Sequence, residues 1–176
     1  MPARLLTSAG IRAEPLAIAG FVMGFAAVPF IAHSAFLVGL VLILASRSVG
    51  LLGVVVAQHV PRTAKEDYLE RILELVWSAS LPFGFALAEP ECALAAMFLM
   101  LGLVARAAAL TVEARPAPGI EVTEFGADLV GQSELTIVYA TLCIFPHWFS
   151  IATYALGIAC FVMTGFRVAK FRSQRT

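Results

Sequence analysis

Apolar residues run along this chain in six stretches separated by short polar interruptions, and the spacing of those interruptions predicts the elements. A helix of about 20 apolar residues crosses the ~30 Å hydrocarbon core of a bilayer, with somewhat shorter segments tolerated. The first stretch, Leu16 to Ala32, predicts a helix ending at a His33-Ser34 turn. A second runs from Ala35 to about Gln58, with no charge between Ala35 and Ala45. The polar stretch His59 to Asp67 precedes a third helix, about Tyr68 to Ala88, whose first two turns are amphipathic and whose Pro82 is expected to kink it. Glu89-Pro90-Glu91 connects tightly to a fourth helix, about Cys92 to Val112. Glu113 to Gln132 mixes charges, prolines and glycines and reads as the longest loop. A fifth helix, about Ser133 to Phe145, turns at Pro146-His147 into a sixth, Trp148 to Val168, which leads to the basic tail Lys170 to Arg175. The expectation is one all-α domain over residues 1–176, a polytopic membrane protein with six transmembrane helices.

Charge placement tests this topology independently, because cytoplasmic loops attract Lys and Arg while translocated loops exclude them. With both termini in the cytoplasm, Arg4, Arg12, Arg62, Lys65, Arg71, Arg115, Arg167, Lys170, Arg172 and Arg175 all fall on that face. The turns at His33, at Glu89 to Glu91 and at His147 hold none of the 12 basic residues. Arg4 and Arg12 before an apolar run ending near Ala32-His33-Ser34 also match a secretory signal, but the further apolar segments make a first membrane helix the simpler account.

Composition agrees: 60% of residues are hydrophobic and 14% charged, against about 25% charged in an ordinary soluble domain. The net charge of zero leaves no basic patch for nucleic acid. Cys92, Cys143 and Cys160 are too few and too scattered for a disulfide framework or metal cluster. His33, His59 and His147 are scattered likewise, and no glycine-rich phosphate loop is present.

The polar residues inside the apolar stretches are the candidates for chemistry. Arg47 lies well inside the second helix and Arg106 inside the fourth, where a central Arg costs about 2.5–3.5 kcal/mol on insertion scales. Each is expected to face protein or water. Two readings stay open for them: contact with an anionic lipid phosphate or diphosphate, or an ion pair with Glu70, Glu74 or Glu134. Glu66, Glu70 and Glu74, spaced four apart, line one face at the start of the third helix. They form half of a metal site, or else a solvated first turn favoured by the helix dipole and by an Asp67 to Arg71 pair. Gly20-x3-Gly24 predicts a close helix contact and no chemistry.

Several pieces of the chain resemble the CDP-alcohol phosphatidyltransferases, in a bacterial inner-membrane branch of that family. They are Gly20-Phe21-x2-Gly24, Arg47, Leu81-Pro82-Phe83-Gly84-Phe85, and Glu134-x-Thr136 through Cys143-Ile144-Phe145-Pro146 to Arg167. The resemblance spans Gly10 to about Arg115 and about Gly126 to Arg167, and implies a six-helix CDP-alcohol phosphatidyltransferase-like bundle. Such proteins transfer a phosphoalcohol group from a CDP-linked donor to an alcohol in phospholipid biosynthesis and release CMP. Their signature, D-x2-D-G-x2-A-R-x7-G-x3-D-x3-D, holds one or two divalent cations against the diphosphate, and its last Asp is thought to deprotonate the attacking hydroxyl.

On this chain the first two signature Asp fall on Gly50 and Gly53, the Gly on Val54, the Ala on Ala57 and the Arg on Gln58. The second Gly falls on Glu66 and the last two Asp on Glu70 and Glu74. Two ligands are therefore absent and two are each a methylene longer. The resemblance implies a fold retained with transferase chemistry lost or largely lost, in a protein that binds membrane lipid or a nucleotide or pairs with an active enzyme. An alternative is an active transferase in which Glu70 and Glu74 hold Mg²⁺ or Mn²⁺ and Glu74 is the catalytic base. A third reading is a helical membrane component, such as a small transporter subunit, with no nucleotide link. The resemblance further implies a homodimer and a CDP-linked lipid donor.

Overall fold

The structure is a computed structural model that describes residues 13–57, 64–113 and 132–173. Among them it forms six α-helices and no strand: α1 (Ala13–Ala32), α2 (Phe36–Ala57), α3 (Ala64–Ala88), α4 (Ala93–Glu113), α5 (Gln132–Ile144) and α6 (Phe149–Ser173). Each coincides with one apolar stretch. The ends differ where polar sequence still favours helix. α3 starts a turn before Tyr68 and takes in Lys65-Glu66-Asp67, of which Lys and Glu are good helix formers. α6 continues past Val168 into the basic tail and ends at Ser173. The stretch between 113 and 132 expected as a loop, together with Gln58, His59 and Arg62, lies outside the described residues.

Five helices are long and apolar enough to cross a membrane; their spans are Glu14–Ala32, Phe36–Gly53, Tyr68–Ala88, Pro90–Ala109 and Pro146–Ala169. The fifth helix in order, α5, has 13 residues. At 1.5 Å per residue it is roughly 20 Å long, against a core of about 30 Å. Among the described residues there are thus five helices of spanning length and one shorter apolar helix, where the sequence predicts six spans. The outward surface fits a lipid environment: Leu37, Leu51, Leu94, Ile137, Ile151 and Phe166 are all exposed.

The chain clusters into two compact units, 1–88 and 89–176. In the first, α1 packs against both α2 and α3. α1 and α2 are joined by a tight turn in which Ala35 N–H donates to Phe30 O and Ser34 N–H to Ile31 O, both at 2.8 Å. This is the paired bonding of a Schellman motif, and it places Ser34 at φ 60° in the left-handed region that glycine favours. The tightness of the turn brings Gly39 against Ile31, whose Cγ1 would lie 2.6 Å from an added Cβ. Phe36 and Phe85 stack with ring centres 5.7 Å apart.

In the second unit α4 packs against α6. The helices meet through small residues: an added Cβ on Gly102 would lie 3.2 Å from Gly157 O, and one on Gly157 2.6 Å from the Phe98 ring. Phe98 also packs on Tyr154 and Phe161, with ring centres 5.6 and 5.3 Å away. Without a hydrophobic driving force between helices in lipid, such close approach and side-chain hydrogen bonding supply the association. Both tight connections, at Pro90 and Pro146, enter as a short 3-10 turn with Pro in its first turn, where a missing N–H costs nothing.

Candidate functional site

Hydroxyls within apolar helices need a partner, since hydrocarbon offers none. Ser48, Ser78, Ser80, Thr141 and Thr153 all donate back to carbonyls three or four residues earlier in their own helix. Ser46 departs from this pattern. Its Oγ crosses from α2 to α1 and donates to Gly20 O at 2.6 Å, a bond made possible by the lack of a side chain on Gly20.

Beside it the first unit assembles a polar nest from three helices. Arg47 follows Ser46 on α2, and Glu74 and Trp77 share one face of α3 at a spacing of three. The Arg47 guanidinium carbon stands 3.6 Å from the centre of the Trp77 ring. Glu74 accepts a hydrogen bond from the guanidinium and is its electrostatic partner. The other side of the nest is α1: a Cβ on Gly24 would collide with the Trp77 ring nitrogen and lie 2.7 Å from Ser46 Oγ. Gly20 and Gly24 therefore make the close contact expected of them, one against α2 and the other against Trp77.

The energetics explain the arrangement. Stacking a desolvated cation on Trp stabilises by about 2 kcal/mol, and a hydrogen bond to a charged partner by about 1.5–3 kcal/mol. Together, at about 3.5–5 kcal/mol, these meet or exceed the cost of about 2.5–3.5 kcal/mol for placing an Arg deep in a membrane. The pairing is incomplete in one place: Arg47 Nε is buried and makes no hydrogen bond.

Of the two readings open for Arg47, the ion pair with Glu74 is formed. Glu70, one turn earlier on α3, and Glu66, a turn before that, are half-buried. Arg106 is half-buried in α4 of the second unit, while His33 and His147 are exposed at tight turns. Gly50 has open space where a Cβ would go, with nothing within 4 Å, and a Cβ on Gly53 would make ordinary contact with Leu16 Cβ at 3.6 Å.

A divalent cation of the Mg²⁺ or Mn²⁺ class requires converging oxygen ligands, with carboxylates supplying the charge. Here α2 contributes none, because Gly50 and Gly53 carry no side chain, and a guanidinium occupies the approach to Glu74. Among the described residues no three His, Cys, Asp or Glu side chains come together. These residues do not fit a metal clamp around a diphosphate.

Sequence reasoning found Arg47 and Glu74 but missed Ser46 and Trp77. A signal was present for both: Ser46-Arg47-Ser48 interrupts an otherwise apolar helix, and Trp77 stands on the same helical face as Glu74. The Gly102 and Gly157 crossing in the second unit was also unmarked, its small residues being far apart in sequence.

The chain is 29% identical over 175 residues to the inner membrane protein YnjF of Escherichia coli (strain K12), a match covering 94% of this chain and 85% of that protein. With five apolar helices of spanning length, the conclusion is direct. The chain is an all-α membrane protein. No family model matches it, and neither does any solved structure.

Proposed function

We propose that this protein is a multi-pass component of the bacterial inner membrane, with both termini in the cytoplasm, built on a CDP-alcohol phosphatidyltransferase-like scaffold that has lost metal-dependent transfer. Its role is to bind lipid, as a homodimer or beside an active enzyme. The observation that carries this reading is the engagement of Glu74 by Arg47. In the resemblance Glu74 is the position of the catalytic base and a metal ligand; here a resident cation neutralises it, and the opposing helix offers Gly50 and Gly53. The likeness to a protein named for the inner membrane supports the location. The basic residues gathered on one side of the predicted topology support the orientation.

The test is CMP release from CDP-diacylglycerol by purified protein in lipid nanodiscs, with Mg²⁺ or Mn²⁺ and a panel of small alcohols. The expected result is release no faster than from empty nanodiscs, by protein whose helical circular dichroism shows it folded. Metal-dependent release that disappears in Glu74→Gln would overturn the reading and establish an altered transferase instead.

A further inference from the structure

We propose that the cytoplasmic end of α6 gathers anionic phospholipid headgroups around Arg167, Lys170, Arg172 and Arg175. The proposal rests on the reading of a lipid-binding membrane component and deepens it by naming the class of lipid.

The sequence supplies the charge. Four cations fall within nine residues, and no Asp or Glu stands between Glu134 and Thr176. Orientation in a membrane calls for an excess of Lys and Arg on one side and is nearly indifferent to acids, so the lack of acids here is a separate feature. The start of α3 shows the contrast. From Ala64 to Glu74 it holds Lys65 and Arg71 beside Glu66, Asp67, Glu70 and Glu74, two cations against four acids.

The structure supplies the depth. The apolar span of α6 ends at Ala169, and the helix continues to Ser173. Lys170 and Arg172 therefore leave the hydrocarbon on a turn of helix, with Arg167 less than one turn below them. At the other end of the span Trp148 and Phe145 are exposed, at 67% and 57%, and a Trp in that position sits at a membrane–water interface. From Trp148 to Arg167 the rise is roughly 28 Å at 1.5 Å per residue, against about 30 Å for the hydrocarbon core. With Trp148 at one interface, Arg167 reaches the other.

The neighbouring helix adds to the cluster. α4 runs parallel to α6, since Ser150 donates to Cys92 Sγ near their starts and Gly102 approaches Cys160 further along. It thus brings Arg106 toward the same end, three residues before its own span finishes at Ala109, and closes at Glu113. Cations at headgroup depth strengthen association with anionic lipid by about fivefold each. A zwitterionic headgroup has no net charge to gain from them.

The test is native mass spectrometry of the full-length protein released from mixed micelles holding equal amounts of phosphatidylglycerol and phosphatidylcholine. The wild type is expected to retain phosphatidylglycerol several-fold over phosphatidylcholine. That preference should shrink as salt rises from about 0.01 M to about 1 M, where the screening length falls from about 30 Å to about 3 Å. The double variant Lys170→Gln, Arg172→Gln should lower the preference about fivefold or more. Lys170→Arg with Arg172→Lys should preserve it, and Arg71→Gln, on the acid-rich start of α3, should leave it unchanged. Equal retention of the two lipids by the wild type, or a preference that survives the double glutamine variant, would overturn the proposal. So would an equal fall in Arg71→Gln, which is what loss of any cation would produce if the cluster had no special part. Should the glutamine variant fail to fold, the salt dependence of the wild type decides alone. CMP release is read separately, so a failure of this surface and a failure of the non-catalytic reading give different results.

Discussion

Replacing Gly24 by Ala tests whether the nest is built on helix contact. The new methyl would collide with the Trp77 ring nitrogen and lie 2.7 Å from Ser46 Oγ. Trp77 is almost fully buried, at 2% exposure, so the ring has little room to retreat. Overpacking of this kind costs about 1–3 kcal/mol, and displacing the ring also weakens its stacking on Arg47, worth about 0.5–2 kcal/mol. Exchanging Gly for Ala in a helix returns up to about 1 kcal/mol. The net expectation is a loss of about 0.5–5 kcal/mol, or a fall in Tm of roughly 1–20 °C at about 2–4 °C per kcal/mol for a chain of this length. Gly50→Ala is the matched control, since nothing lies within 4 Å of its Cβ and only the propensity gain remains. Thermal unfolding of both variants in detergent, followed by fluorescence-detected size exclusion, measures the difference. A Gly24→Ala protein as stable as Gly50→Ala would refute the packing described for the first unit.

Three further outcomes follow from the same geometry. Ser46→Ala removes the bond to Gly20 O and should destabilise by about 0.6 kcal/mol, the mean found for hydrogen bonds between membrane helices, whereas Ser48→Ala should be neutral; the same thermal assay reads both. Ser34→Gly relieves a left-handed backbone at φ 60° and should raise stability by about 0.5–1 kcal/mol, measured as a higher Tm in detergent; a fall would mean that the serine side chain matters more than the backbone. The double variant Gly50→Asp, Gly53→Asp meets no clash at either Cβ and should gain Mn²⁺ binding detectable by electron paramagnetic resonance. No gain would count against the correspondence of these positions with the signature aspartates.

The helices were legible because lipid imposes a length and an apolar character that sequence displays directly. All six stretches returned as helices, and the Gly20-x3-Gly24 spacing identified a real contact. The spanning count was less legible. A run such as Ser133 to Phe145 looks like a crossing beside its neighbours, and only the 13-residue extent of α5 among the described residues sets it apart from the other five. The turn at His33-Ser34 was legible but its Schellman geometry was not, since Ser34 takes a conformation whose usual sequence signal is glycine.

The candidate site was half legible, and the division has a physical cause. A charge in an apolar helix announces itself by its cost, which is why Arg47 stood out, while Glu74 stood out by its spacing from Glu66 and Glu70. The group that makes the charge tolerable does not, because Trp77 reads as one more apolar residue until its ring is placed under the guanidinium. The same placement changes the meaning of Glu74. On spacing alone it belongs with Glu66 and Glu70, as half of a metal site or as part of a solvated first turn. With a fixed cation against it, Glu74 already has its charge neutralised in part, and a second cation on its other oxygen would be repelled by Arg47. A divalent metal there meets that repulsion and finds no carboxylate on α2 to compensate.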